Sequence, residues 1–246
     1  MRRVIGLILF VGVASLALAE EPAKTGGSGE GLEILKKTVA ALKEAKTVSY
    51  KAEYTATGWA TKFVPTVTGT AVMGEQSKDK IDRFSCEVKI KANDSEDVKE
   101  FSAGSDGDKF FVIDPKTKMC HLDMDPAVLG SQGRNIQRVL LREFSAPEPF
   151  DDIFKSGTVE LVGSTKVGDE ECDELKIIPT EGAKRLLAIS RKDHLPRRTT
   201  NLIKNEQGEA TTVLTISDLV VNPTFVRSPF ELRCPEGYKQ TDDFAP

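Results

Sequence analysis

Two periods of hydrophobic positions divide this chain. Leu32, Leu35, Val39 and Leu42 recur at helical spacing, with Ala40, Ala41 and Ala45 between them and lysines on the other face, which predicts one amphipathic helix. After Thr47 the period falls to two. Tyr50, Ala52, Tyr54 and Ala56 alternate with Ser49, Lys51, Glu53 and Thr55, and Phe84, Cys86, Val88 and Ile90 alternate with Ser85, Glu87, Lys89 and Lys91. Successive side chains of a strand point to opposite faces, so each run predicts a strand with one apolar and one wet face. Phe110–Ile113 and Cys120–Met124 follow, joined by turn chemistry at Asp106-Gly107 and Asp114-Pro115-Lys116-Thr117. Short strands joined by tight turns predict an antiparallel meander.

The alternation then breaks. Asp125-Pro126 reads as a helix N-cap with proline at the first helical position. Ile136, Val139, Leu140 and Phe144 share a helical face, and Phe150, Ile153 and Phe154 mark a further turn of helix after Pro147 and Pro149. Strands resume at Thr158, with Val159–Lys166, Cys172–Ile178, Leu186–Arg191, Arg197–Ile203, Ala210–Leu219 and Phe230–Cys234 as candidates. Turns between them fall at Gly168-Asp169, Glu181-Gly182, Lys192-Asp193 and Gln207-Gly208. The pattern predicts a mainly β, α+β domain over residues 32–246. It has about ten or eleven antiparallel strands, an N-terminal helix and a helical insert over about residues 126–155. No self-similarity at a repeat-like period is found.

The first residues have a different logic. Arg2 and Arg3 precede the apolar run Val4–Ala19, which ends in Ala17-Leu18-Ala19 before Glu20 and Glu21. This is the charged, apolar and small-residue order of a cleavable export signal. The run falls short of the roughly 20 apolar residues a membrane span needs, so cleavage after Ala19 and an N-terminus at Glu20 are expected. Residues 20–31, with Pro22, Gly26, Gly27, Ser28 and Gly29, read as a flexible linker. Export to an oxidising compartment makes the four cysteines, Cys86, Cys120, Cys172 and Cys234, candidates for two disulfides in any of three connectivities. Reduced thiols buried as small apolar residues are the equal alternative.

Composition narrows the chemistry. The formal net charge is −4 and the pI about 5.5, which argues against a nucleic-acid binder, whose surface must be basic. Only two histidines occur, His121 and His194. There is no Gly-x-Ser-x-Gly elbow, His-Glu-x-x-His helix or phosphate-cradling glycine loop, so no enzyme is expected, and no cofactor or metal. Acidic clusters at Asp94–Asp97, Asp151-Asp152 and Asp169–Glu174 lack calcium-loop spacing and read as solvated turns. The basic stretch Arg191–Arg198 has the composition of an anion site, but the wet face of a strand pair explains it more simply. Asn93-Asp94-Ser95 fits a short glycosylation sequon of the kind common by chance. Trp59, the single tryptophan, is expected in edge or core packing.

Architecture carries more information than motifs. A sheet of this many antiparallel strands must curl, and a half-closed barrel exposes an apolar hollow unless something covers it. The helical insert is the candidate lid. The expected cavity wall is Tyr50, Tyr54, Phe84, Val88, Ile90 and Leu122. The expected lid residues are Ile136, Val139, Leu140, Phe144, Phe150 and Phe154. A plugged apolar hollow in an exported protein suits acyl chains. Leu140→Glu is then expected to weaken uptake while sparing the fold.

The second half carries a family resemblance. His194-Leu195-Pro196-Arg197-Arg198 is followed by Asn205-Glu206-Gln207-Gly208 and Ser217-Asp218-Leu219-Val220-Val221-Asn222. Phe230-Glu231-Leu232 and Pro235-Glu236-Gly237-Tyr238 come after these. With Val167-Gly168, Cys172 and Leu175 ahead of it, and the helix running into Thr47-Val48-Ser49-Tyr50-Lys51-Ala52, the ordered set resembles the periplasmic lipoprotein-carrier superfamily over about residues 32–240. Within it the chain looks most like the bacterial outer-membrane lipoprotein-sorting proteins. The resemblance implies a half-open antiparallel barrel plugged by helices. It implies a lipid or an acylated lipoprotein as partner and no cofactor. The same fold serves periplasmic sensors, so the alternative expectation is a regulatory module that binds an inner-membrane or envelope protein. A monomer is expected.

Overall fold

The computed structural model of this protein describes residues 29–74, 83–123, 132–231 and 233–241. The expected export signal, most of the linker and the Asp125-Pro126 cap lie outside the described residues. The chain opens with helix α1 (Gly29–Glu44), which buries Leu35, Thr38 and Leu42 along one stripe. Strands β1 (Thr47–Gly58), β2 (Thr66–Gly74), β3 (Phe84–Lys91), β4 (Val98–Ser105), β5 (Phe110–Asp114) and β6 (Met119–Asp123) follow. The insert contains helix α2 (Gly133–Val139), a 3-10 turn at Arg142–Phe144 and helix α3 (Asp151–Ser156). After it come β7 (Thr158–Val167), β8 (Glu170–Ile178), β9 (Lys184–Ser190), β10 (Pro196–Asn205), β11 (Gly208–Val221) and β12 (Lys239–Thr241).

All of these strands join one open, curled twelve-stranded sheet in the order β12-β6-β5-β4-β3-β2-β1-β11-β10-β9-β8-β7. Two antiparallel meanders, β1 to β6 and β7 to β11, are sewn together by β1 against β11, with Tyr54 opposite Leu214 and Ala52 opposite Ile216. The order has a direct consequence for the insert. The end of β6 and the start of β7 lie near opposite margins of the sheet, and the described insert residues, 132–157, lie between them. They cross over the apolar face, where Ile136, Val139, Leu140, Leu141, Phe144, Phe150 and Ile153 join the same core cluster as the strands.

Register defines that face strand by strand. The row Tyr50, Ala71, Cys86, Ala103 and Val112 runs across β1 to β5, each residue opposite the next, and all five belong to the core cluster. On the other side of β1 the face continues through Ile216, Leu214, Leu187, Leu175, Ile177 and Val159.

Three sequence expectations are corrected. β2 and β4 had not been expected. In β2 the apolar alternation Val67, Ala71, Met73 is interrupted by Gly69 among threonines, and β4 begins with the wet stretch Val98-Lys99-Glu100 before turning inward. Both are held by pairing on two sides, which overrides weak local preference. Phe230, Glu231, Arg233 and Cys234, expected in a strand, lie outside any strand. Pro229 and Pro235 bracket them and proline cannot donate to a ladder, so the C-terminal pairing falls instead to β12, parallel to β6.

Candidate functional site

The concave face and its plug bring together most of the residues expected to form a site. Tyr50, Phe84, Val88 and Ile90 are buried on the strands, Tyr54 packs beside them, and Ile136, Val139, Leu140, Phe144 and Phe150 are buried in the insert. Phe144 lies against Tyr50, ring centroids 5.9 Å apart. Two expected residues are elsewhere. Phe154 is 39% exposed at the surface of α3, because that helix is one and a half turns long and spends its inward direction on Ile153. Leu122 faces the opposite side of the sheet. It pairs with Phe111, whereas His121 pairs with Val112 and takes the inward position.

The reason for the Leu122 error is physical. Apolar parity normally marks the core face, but Leu122 lines a pocket with Phe230 and Gln240 of the C-terminal tail, and Phe111 and Cys120 share its face of the sheet. A second, smaller apolar patch on the convex face thus reverses the parity of β6. Leu140 also changes meaning. It is buried in the main cluster, so Leu140→Glu would place a charge in the core and would not spare the fold.

Polar contacts latch the plug. The Tyr50 hydroxyl, fully buried, donates to the Val139 carbonyl at 3.0 Å and accepts from the Leu141 backbone N–H at 3.0 Å, with Met73 Sδ 3.1 Å away. One side chain of the sheet therefore satisfies both backbone groups where α2 ends and the chain turns extended. At the other half of the face, Arg185 on β9 makes a 2.9 Å ion pair with Glu143 of the insert and sits over the Phe150 ring at 5.3 Å. Arg138 of α2 lies over the Tyr54 ring and is held by Asn135. Sequence reasoning missed Arg185, since a lone arginine in a strand carries no signal of what it faces.

An open cleft of about 740 Å³ lies at the rim, between Thr61–Pro65, the β3–β4 turn and α2. Its walls mix Phe63, Val64, Pro65 and Ile90 with Lys62, Lys99, Asn93, Gln132 and Asn135. Phe63 stands 67% exposed at its edge. Ile90 both lines the cleft and belongs to the core cluster. The cleft is therefore the outer end of the same apolar surface that the insert covers, and its volume falls within the ~300–1,000 Å³ typical of small-molecule sites. Asn93 shapes it by donating to the carbonyls of Thr61 and Val64 at 2.6 and 2.9 Å, so the amide of the sequon is occupied in holding a loop. Trp59 packs at the sheet end, its indole N–H on the Gly208 carbonyl at 3.3 Å.

The remaining polar clusters neutralise themselves. Arg191 pairs with Asp173, Arg197 with Glu170 and Asp193, and Arg198 with Glu174, so the basic stretch and the acidic cluster of β8 are one cross-strand network. Among the described residues no group of three or more His, Cys, Asp or Glu is placed to hold a metal. His121 is on β6 and His194 in the β9–β10 turn, in different halves of the sheet.

Burial of the concave face has a measurable pH consequence. It pushes the Cys86 thiol from an ordinary 9.0 up to about 12 and raises the Tyr50 phenol above its ordinary 10.0. Both groups stay neutral in the folded state where the unfolded chain ionises. Their stabilisation is thus complete below the unfolded values and is lost as pH rises towards the folded ones. The urea midpoint is expected to fall between about pH 9 and pH 11, and less steeply in Cys86→Ala. Identical slopes for the two proteins would exclude Cys86 as a contributor.

Comparison with known proteins agrees with the architecture. MucB superposes with a TM-score of 0.51 at 13% identity over 84% of this chain, and this chain spans 64% of the length of MucB. The Pseudomonas aeruginosa MucA/MucB complex gives 0.45 at 14% identity over 82% of this chain and 60% of that one. The Mycobacterium tuberculosis lipoprotein LppX gives 0.47 at 14% identity, over 80% of this chain and 98% of its own. At such identities the likeness to MucB is one of fold. Among curated proteins no match is found. A family model, by contrast, matches residues 31–242, the whole of the sheet and its plug, and the chain belongs to that family, described as predicted periplasmic protein (DUF2092).

Proposed function

We propose that this protein is exported by a cleaved signal and binds an acyl chain, free or as part of a lipid or acylated lipoprotein, on the concave face of its sheet, without covalent chemistry. The observation that carries the reading is Ile90, shared between the open rim cleft and the core beneath the insert. A chain entering at Phe63 reaches the apolar face through Ile90, provided that α2 gives way. Energetics allow the exchange. Each buried methylene contributes about 0.8 kcal/mol, so a chain of about 14 methylenes gains roughly 11 kcal/mol. Cargo must displace Ile136, Val139 and Leu140, whose own burial is of the same kind, and net affinity is the difference. A balance of this sort permits both loading and release.

The test is displacement of a fluorescent fatty acid from the full exported protein. Micromolar binding is expected, with a loss of at least several-fold in Phe63→Glu, which places a charge at the cleft mouth and touches no core residue. Absence of any probe binding, in this protein and in variants with a loosened plug, would refute the reading.

A second reading is favoured by the fold shared with MucB, whose structure is known in complex with MucA(peri). On that reading the concave face or the free edge of β7 receives a periplasmic segment of a membrane protein. Capture of such a segment by lipid-free protein, unaffected by fatty acid, would support it over the carrier.

A further inference from the structure

Strand order separates three of the four thiols. Cys86 points into the core from β3, Cys120 points out of the opposite face of β6, and Cys172 is on β8 in the other half of the sheet. Neighbouring strands lie ~4.8 Å apart. The three strands' separation between β3 and β6 thus exceeds the ~7 Å Cα distance that a disulfide tolerates. None of these three can pair with another.

Cys234 is placed differently. The tail turns at Pro235, where the Tyr238 N–H donates to the Pro235 carbonyl at 3.1 Å, and the Lys239 N–H then donates to the Lys118 carbonyl at 2.9 Å. β12 runs parallel to β6 with Gln240 opposite Cys120. This return folds Cys234 back against the strand that carries Cys120, close enough for the Cys234 thiol to raise the Cys120 thiol's pKa. Cys120 is fully buried there, with Phe111 beside it on the neighbouring strand, outside the main core cluster.

We propose that Cys120 and Cys234 form a disulfide in the exported protein, an oxidative modification site that fastens the C-terminal tail to the convex face of the sheet. Among the described residues the tail is held chiefly by two features. β12 pairs over three residues, and Phe230 contributes one buried ring, under the Arg83 guanidinium. Cys234 is the half-exposed member, so it meets the oxidant first. Its thiolate attacks the sulfur of an external disulfide, breaks that S–S bond, and leaves a mixed disulfide and one released thiolate. Cys120 then loses its proton to solvent base, attacks Cys234 Sγ and expels the second thiolate. Two protein thiols and one external disulfide become one protein disulfide and two external thiols, with two electrons passing to the oxidant. Burial and the adjacent Cys234 push the Cys120 thiol up to about 12, so the second step is the slow one and is favoured as the tail docks.

Full-length protein recovered from a bacterial periplasm, or incubated with oxidised glutathione, should be denatured, alkylated without reduction and weighed. Two alkylations are expected, mapping to Cys86 and Cys172, with a linked peptide pair containing Cys120 and Cys234, and four alkylations after reduction. Cys234→Ser alters a half-exposed side chain and should fold. It is expected to show three alkylations and several-fold faster proteolytic trimming of the tail. Four alkylations in unreduced, oxidant-treated protein, or a bond that includes Cys86 or Cys172, would overturn the proposal.

Discussion

Replacing Tyr50 by phenylalanine is expected to cost about 2–4 kcal/mol of stability and to tighten the binding of an acyl probe. The stability loss follows from the two orphans it creates. The Val139 carbonyl and the Leu141 N–H both lose their partner at 3.0 Å, deep in the core where water does not replace it. Each buried unsatisfied backbone group costs about 1–3 kcal/mol. The ring remains, so its packing on Phe144 is kept. The gain in binding follows from the same contacts. They exist only with the insert closed, so losing them favours the open state, and each 1.4 kcal/mol of that bias is worth about tenfold in affinity for a ligand of the open state. Urea denaturation and probe titration on one preparation separate the two effects. A drop in stability with unchanged probe affinity would show that nothing binds beneath the insert.

Gly69→Ala is expected to be at least as damaging, by about 3 kcal/mol, and for a reason unrelated to the plug. Gly69 lies opposite Ala52 on β1 and Val88 on β3. A Cβ at this position would stand 2.1 Å from the carbonyl oxygen of Glu87. That obstacle is backbone of the neighbouring strand, which gives way only by shifting β3 and hence the register row Ala71–Cys86. Gly29→Ala is the control, since nothing lies within 4 Å of its added methyl group. Equal midpoints for Gly69→Ala and Gly29→Ala would mean that the approach of β2 to β3 is not the constraint on the curl that the geometry makes it.

The insert shows how far the local pattern reaches. The spacing of Ile136, Val139, Leu140 and Phe144 marks four positions that are all buried, but not the single helical face it predicts, because α2 ends at Val139, Leu140 is extended and Phe144 sits on a separate 3-10 turn. Their spacing says nothing of Arg185, which meets Glu143 and Phe150 only because β9 lies beneath the insert. The rim cleft is likewise assembled from three separate stretches of chain, and Ile90 is the one lining residue that had been expected in the cavity wall. Leu122 is the instructive miss. The alternation of Cys120 and Leu122 correctly marked an apolar face of β6, and the tail's return along β12 decided that this face was the convex one.

By itself the chain determined where strands alternate and where the alternation stops for a helical insert. Those properties follow from periods of two and 3.6 residues and from runs of composition, all readable within a dozen positions. Tertiary structure alone decided that the insert must cross the concave face, that Tyr50 closes its end, that the tail returns along β6, and which side of β6 is inside. Each of these depends on which distant strands become neighbours, and a strand's own alternation defines two faces without saying what will cover either of them.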